Sequence, residues 1–158
     1  MLSCQASRRK GLLCFCVMRR IDEIILHCSA TREGKDFTVA DIDRWHRERG
    51  FDEIGYHYVI YRDGSVHKGR AISKAGAHCL KHNANSVGVC YIGGLASDGV
   101  TPKDTRTPLQ RAAMEGLVRA LLERFPGARV CGHNELAAKA CPSFDVRQWL
   151  AETGIRCK

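Results

Sequence analysis

The sequence predicts a sheet with helices packed on it, an α/β or α+β fold. Three observations predict it. Apolar segments of strand length occur at residues 21–29, 55–61, 85–92 and 128–131. Two stretches between them carry apolar residues at helical spacing behind recognisable caps. No internal repeat or linker divides the body, and 158 residues suit one domain of ordinary size. A core of that size buries roughly 68–70% of the unfolded surface, so a metal is not needed for folding. A metal here would serve chemistry.

The elements follow in order. Residues 21–29 read as a buried strand ending in His27, ahead of a loop over residues 30–37. A histidine at a strand end beside a loop is well placed for a site, although taken alone it is more often a surface residue. Thr38 opens a helix in which Thr38 and Asp41 resemble a capping box. Val39, Ile42, Trp45 and His46 repeat at helical spacing, and Gly50 stops the helix. His46 is expected to be structural. Residues 55–61 form a strand with Tyr56, Tyr58 and Ile60 on one face. Cross-strand packing is the expectation for Tyr56. Asp63-Gly64 marks a hairpin, and residues 65–68 return.

Residues 69–85 form a long loop holding His78 and His82, and the strand over residues 85–92 closes at Gly93-Gly94. Thr107 caps a long helix with Pro108 in its first turn. Leu109, Ala112, Ala113, Leu117, Leu121, Leu122 and Phe125 form its expected core stripe, ended by Pro126-Gly127. The strand over residues 128–131 leads into Gly132-His133, and residues 145–152 make a short closing helix with Trp149. His57 and His67 are expected to be structural.

Charge and cysteine content bound the function. The formal charge is +8, but residues 1–20 contribute +5 of it, which leaves a mildly basic body. That suits an anionic polymer as substrate and is not a nucleic-acid signature. No apolar run approaches the length of a membrane span. Nine cysteines without a CxxC pair do not make a disulfide framework. Cys28, Cys90 and Cys131 are expected as core thiols, reduced in a cytosol at synthesis. Residues 1–20 are read as a basic, disordered N-terminal extension, or as the product of a start upstream of Met18. The eight-residue apolar run at 11–18 is near the lower limit for a signal peptide, and Arg19-Arg20 follow it where a cleavage pattern belongs. Residues 21–158 are the domain.

Chemistry concentrates in the stretch from Gly132 to Asp145. His133 and Cys141 are the two ligand types zinc prefers. Seven residues separate them, so they meet only if the segment loops back. Lys139 lies close enough to point into the same space. A zinc site needs a third ligand from elsewhere in the chain.

His27-Cys28-Ser29-Ala30-Thr31, Gly55-Tyr56-His57-Tyr58, Asn85-Ser86-Val87-Gly88-Val89, His133 through Lys139, and Cys141-Pro142-Ser143-Phe144-Asp145 occur in that order. Together they closely resemble the zinc-dependent N-acetylmuramoyl-L-alanine amidases, a family that includes amidases of short-tailed coliphages and the peptidoglycan recognition proteins. The resemblance covers residues 21–152. It implies an α/β fold with a central mixed sheet flanked by helices, and a catalytic Zn2+ held by His27, His133 and Cys141 with the fourth position open. Tyr56 and Lys139 match the family's two catalytic side chains.

The implied reaction is hydrolysis of the amide between N-acetylmuramic acid and L-alanine in peptidoglycan, as in an endolysin, a prophage lysis enzyme or a bacterial wall-remodelling enzyme. Lys139 would meet the oxyanion, while the general base is left between Tyr56 and a substrate-assisted route. His78 and Asn85 are candidates for lining the substrate groove, with a turn ahead of the strand as the other reading of Asn85. The implied setting is a monomer without nucleic acid or membrane span, made in the cytoplasm and acting on the wall after release. An idle peptidoglycan-binding module or a phage-type regulatory partner are the rival readings.

Overall fold

The computed structural model describes residues 19–158. The signal-peptide, Met18 and extension readings fall on residues outside those described, with one correction. The Arg19 guanidinium donates to the carbonyls of Ile72, Ala84 and Ser86, the last at 2.7 Å. Arg20 pairs with Asp22 at 2.8 Å. Arg19 is therefore fastened to the domain, while Arg20 is exposed beside the first strand. Composition alone places both basic residues outside the domain, but Arg19 finds partners more than fifty residues along the chain, whereas Arg20 pairs locally.

Five strands form the main sheet in the order β4-β3-β5-β1-β7. These are β1 (Glu23–Cys28), β3 (Tyr58–Ile60), β4 (Val66–Lys68), β5 (Ser86–Tyr91) and β7 (Arg129–Gly132). β1 pairs in parallel with β5 and β7, and β3 with β5, whereas β3 and β4 are an antiparallel hairpin. The sheet is therefore mixed. Two short strands, β2 (Thr31–Arg32) and β6 (Gly94–Leu95), pair separately.

Alternation along β1 assigns each face a role. Ile24, Leu26 and Cys28 face the main core, built with Met114, Val118 and Leu121 of α2 (Pro108–Arg124) and Val146 and Trp149 of α3 (Val146–Thr153). Ile25 and His27 face the other way. That side is covered by α1 (Val39–Glu48), through a cluster of Ile42, Ile54, Val59 and Ile92, and by the loop carrying Cys79. Both helix starts are capping boxes: Thr38 with Asp41, and Thr107 with Gln110.

The α2 stripe packs in the core through five of its seven expected residues, with Leu121 buried and Ala113, Leu117, Leu122 and Phe125 partly so. The deepest residues of the helix are Gln110, Met114, Val118 and Leu121, while Leu109 is 59% exposed and Ala112 lies on the surface. Gln110 is the buried residue that the apolar pattern leaves out. Its Oε1 accepts the Thr107 N–H at 3.0 Å, and its Nε2 donates to the carbonyls of Ile60 and Ile92 at 3.2 and 3.0 Å. With every polar group satisfied, a glutamine is buried where a hydrophobic pattern excludes it.

The strand expected over residues 55–61 is shorter, and Tyr56 is not on the face of Tyr58 and Ile60. Those two pack toward α2, whereas Tyr56 joins the α1 cluster. Tyr56 precedes the regular strand, so strict alternation does not apply to it. That displacement brings it to the same side as His27.

Candidate active site

The site forms where β1 and β7 end. His27, wholly buried, is the fifth residue of β1. β7 runs into a 3-10 turn, His133–Glu135, which sets His133 beside it, with the two ring centroids 4.7 Å apart. The chain then loops back. Asn134 N–H donates to the Cys141 carbonyl at 2.7 Å, and Ala137 N–H to the His133 carbonyl at 3.0 Å. The seven-residue gap between His133 and Cys141 is thus closed by backbone hydrogen bonds.

One donor atom from each of His27, His133 and Cys141 lies within 4.8 Å of the others. Cys141 Sγ is 3.6 Å from His27 Nδ1 and accepts the Cys28 N–H at 3.3 Å. Burial holds the His27 imidazole well below its usual pKa, and His133 is lowered for the same reason. Both rings are neutral and have lone pairs to give. Cys141 is pushed up by its hydrogen bond with the Cys28 side chain and by burial, so without a cation beside it the group is a thiol. Cys28 faces the main core as expected, yet Cys141 arrives from beyond the strand end and touches it. Two imidazoles and one sulfur, converging with no fourth donor in the group among the described residues, form a donor set that fits zinc.

A pocket of about 210 Å3 opens above this set, lined among others by Trp45, Arg49, Tyr56, His133, Lys139 and Cys141. It carries two cations and no carboxylate. The Tyr56 ring lies 5.1 Å from that of His27 and 5.3 Å from that of His46. Burial raises the Tyr56 pKa well above its usual value, which keeps the group a phenol and a hydrogen-bond donor. Glu135 is committed elsewhere. Its Oε1 accepts the Gly132 N–H at 2.9 Å and its Oε2 pairs with Arg147 at 2.9 Å, so it shapes the turn.

The two expected groove residues are placed differently. His78 does not reach the pocket; it stands behind His27, with its Nδ1 2.8 Å from His27 Nε2. Asn85 lies at the opposite end of the central strand, β5. It ends a 3-10 turn ahead of β5 and donates to Asp22 at 3.1 Å. His27 is level with Cys90, five residues further along, or roughly 16 Å at ~3.3 Å per residue. The turn reading of Asn85 is the one that matches its position. Its resemblance to a family motif carried no information on which end of the strand faces the site.

Trp45 and Arg49 went unrecognised in the sequence. Their signal was available: they are four residues apart, one turn of the same helix, with Ile42 as the buried anchor. His46 is structural as expected, its Nδ1 accepting the Gly55 N–H at 2.8 Å. His57 is buried and accepts the Gly88 N–H at 3.0 Å, and His67 stacks on Tyr61. The described cysteines are all free, with Cys28, Cys90 and Cys131 buried.

A mixed sheet that delivers such a donor set to the floor of a pocket, beside a phenol and an ammonium, defines a hydrolase acting on a carbonyl group. Residues 17–144 match the family described as N-acetylmuramoyl-L-alanine amidase, and the chain belongs to that family. It is 41% identical over 128 residues to the endolysin of Escherichia phage T7, covering 81% of this chain and 84% of that protein. It is 39% identical over 136 residues to the endolysin of Enterobacteria phage K11, covering 86% and 89%. Among solved structures, the N-acetylmuramoyl-L-alanine amidase LysC from Clostridium intestinale has the same fold, with a TM-score of 0.74 over 87% of this chain and 88% of that one at 24% identity. The chain is an enzyme, and its reaction is amide hydrolysis in peptidoglycan between N-acetylmuramic acid and L-alanine.

Proposed function

We propose that the enzyme is a zinc-dependent endolysin, with His27, His133 and Cys141 as the ligands and Tyr56 and Lys139 as the catalytic side chains. The convergence of those three donor atoms within 4.8 Å carries this reading. A zinc ion in such a three-ligand site lowers the pKa of a water toward ~7 and polarises the scissile carbonyl.

The chain's own groups supply the rest. Lys139 lines the pocket as an ammonium that meets the negative charge developing on the carbonyl oxygen. Tyr56, held as a phenol, donates a hydrogen bond to the same oxygen or to the attacking water. An unperturbed phenol is a poor base, and the general base stands between Tyr56 and a substrate-assisted route. Trp45 offers a flat apolar wall to the sugar or stem peptide.

Peptidoglycan is the substrate and the only macromolecular partner in this reading, with the monomer as the working unit. No helix among the described residues is long and apolar enough to cross a membrane. Reduced, buried thiols suit synthesis in the cytoplasm and action on the wall after release.

The test is digestion of intact peptidoglycan with and without a zinc chelator, followed by chemical labelling of the released ends. New L-alanine amino termini that vanish on chelation and return with added zinc are expected. New reducing sugar ends, or cleavage indifferent to chelation, overturn the reading.

A further inference from the structure

We infer that His78 is a positioning residue that, with Ser86, fixes the tautomer of His27 so that Nδ1 presents its lone pair to the metal. The inference rests on the zinc reading above. It starts from which edge of each ring faces what. Nδ1 of His27 faces Cys141 Sγ at 3.6 Å, and Nε2 faces His78 Nδ1 at 2.8 Å. The far nitrogen of His78, Nε2, lies 3.2 Å from Ser86 Oγ.

A neutral imidazole has one N–H and one lone pair. For Nδ1 of His27 to ligate, its proton sits on Nε2 and donates to His78 Nδ1. That nitrogen is then bare, so the His78 proton is on Nε2 and donates to the buried Ser86 hydroxyl. Only this arrangement leaves Nδ1 of His27 a lone pair; the reverse row, with the Ser86 hydroxyl donating to His78, ends in an N–H at His27 Nδ1 and cannot ligate. A ligand histidine whose outer N–H is held in this way is fixed in orientation and made more basic.

The His78 ring sits in a purpose-shaped slot. A Cβ at Gly88 would come 2.6 Å from its Cδ2, and one at Gly76 would meet the same atom. Neither glycine has a backbone angle that requires glycine, so the missing side chains are explained by the ring. The turn bearing His78 is pinned separately: Asn83 Oδ1 accepts the N–H groups of His78 and Cys79 at 2.8 and 2.9 Å. Packing alone would be served by any flat ring in that slot. Only a ring with an acceptor at the Nδ1 position leaves His27 Nε2–H satisfied.

Two measurements test this. The first uses the wild-type protein labelled with 15N in its histidine rings and loaded with zinc. Two-bond ring 15N–1H correlations are expected to show both His27 and His78 with their proton on Nε2; a His78 proton on Nδ1 overturns the inference. The second is zinc affinity by chelator competition for His78→Phe and His78→Asn, with the melting temperature of each metal-free protein recorded. His78→Phe is expected to bind zinc ~10–100-fold more weakly than wild type. His78→Asn, whose side-chain oxygen stands near the lost Nδ1, is expected to recover much of that loss. A folded His78→Phe that keeps zinc within about threefold of wild type overturns the inference, judged against the ~10–100-fold scale of such contacts. Should that variant not fold, the wild-type spectrum decides. Failure of the wild-type protein to bind zinc at all is a separate outcome, which removes the metal reading itself and this inference with it.

Discussion

Tyr56 and His27 face each other with ring centroids 5.1 Å apart, although one comes from the approach to β3 and the other from β1, with β5 between these strands. The contact exists because Tyr56 precedes the regular part of its strand and turns toward α1. It makes Tyr56 a wall of the pocket whose floor is the donor cluster, and it separates the roles of the two side chains tested first.

Lys139→Ala is expected to lower kcat by ~10²–10³ with little change in KM, because the ammonium acts on charge that exists only in the transition state. Tyr56→Phe is expected to lower kcat while zinc content is unchanged. Steady-state kinetics on a soluble muropeptide, with metal analysis of each preparation, checks both. A Lys139→Ala variant with unaltered kcat removes the oxyanion role.

Arg49 lies exposed at the pocket, and its Nε donates to the Trp45 carbonyl at 3.2 Å. The stem peptide of the substrate carries carboxylates, and the pocket offers them no other cation but Lys139. Arg49→Ala is expected to raise KM by roughly three- to tenfold, equivalent to about 1 kcal/mol for an exposed charge pair, and to leave kcat alone. Muropeptides with amidated stems should lose this sensitivity. Equal effects on charged and amidated stems refute the assignment.

His46 and His57 are buried, and burial lowers each to about 4. Their ordinary value is ~6.5, so the unfolded chain binds more protons between these limits. Stability is therefore full above about pH 6.5 and is lost as pH falls toward about 4, by up to ~3 kcal/mol per histidine. Urea unfolding of the metal-free protein at several pH values measures the slope. His46→Asn keeps an acceptor for the Gly55 N–H but does not titrate, and is expected to flatten that slope. An unchanged slope rules His46 out as a contributor.

Gln110→Leu is expected to destabilise the fold by ~1–3 kcal/mol, since it strips the carbonyls of Ile60 and Ile92 of a donor and opens the capping box at Thr107. Chemical denaturation gives the value. A gain in stability would mean the apolar pattern alone governs this helix.

The sequence by itself determined the main element types, the caps of α1 and α2 and the cluster of reactive side chains between His133 and Cys141. These are local properties: periodicity, a Thr with its partner three residues on, and an imidazole, an ammonium and a thiol within one short segment. Tertiary structure decided everything that depended on which distant segments meet. It buried Gln110 on α2, because carbonyls at the ends of two remote strands satisfy that side chain. It took Tyr56 off the face its spacing assigns, because alternation holds only where the strand is regular. It moved His78 from the groove to the back of His27 and Asn85 to the far end of β5, because a parallel sheet separates residues at opposite strand ends however close their motifs look in order. A pattern along the chain tells which groups are present; the direction each one faces is set by the neighbours that satisfy its hydrogen bonds.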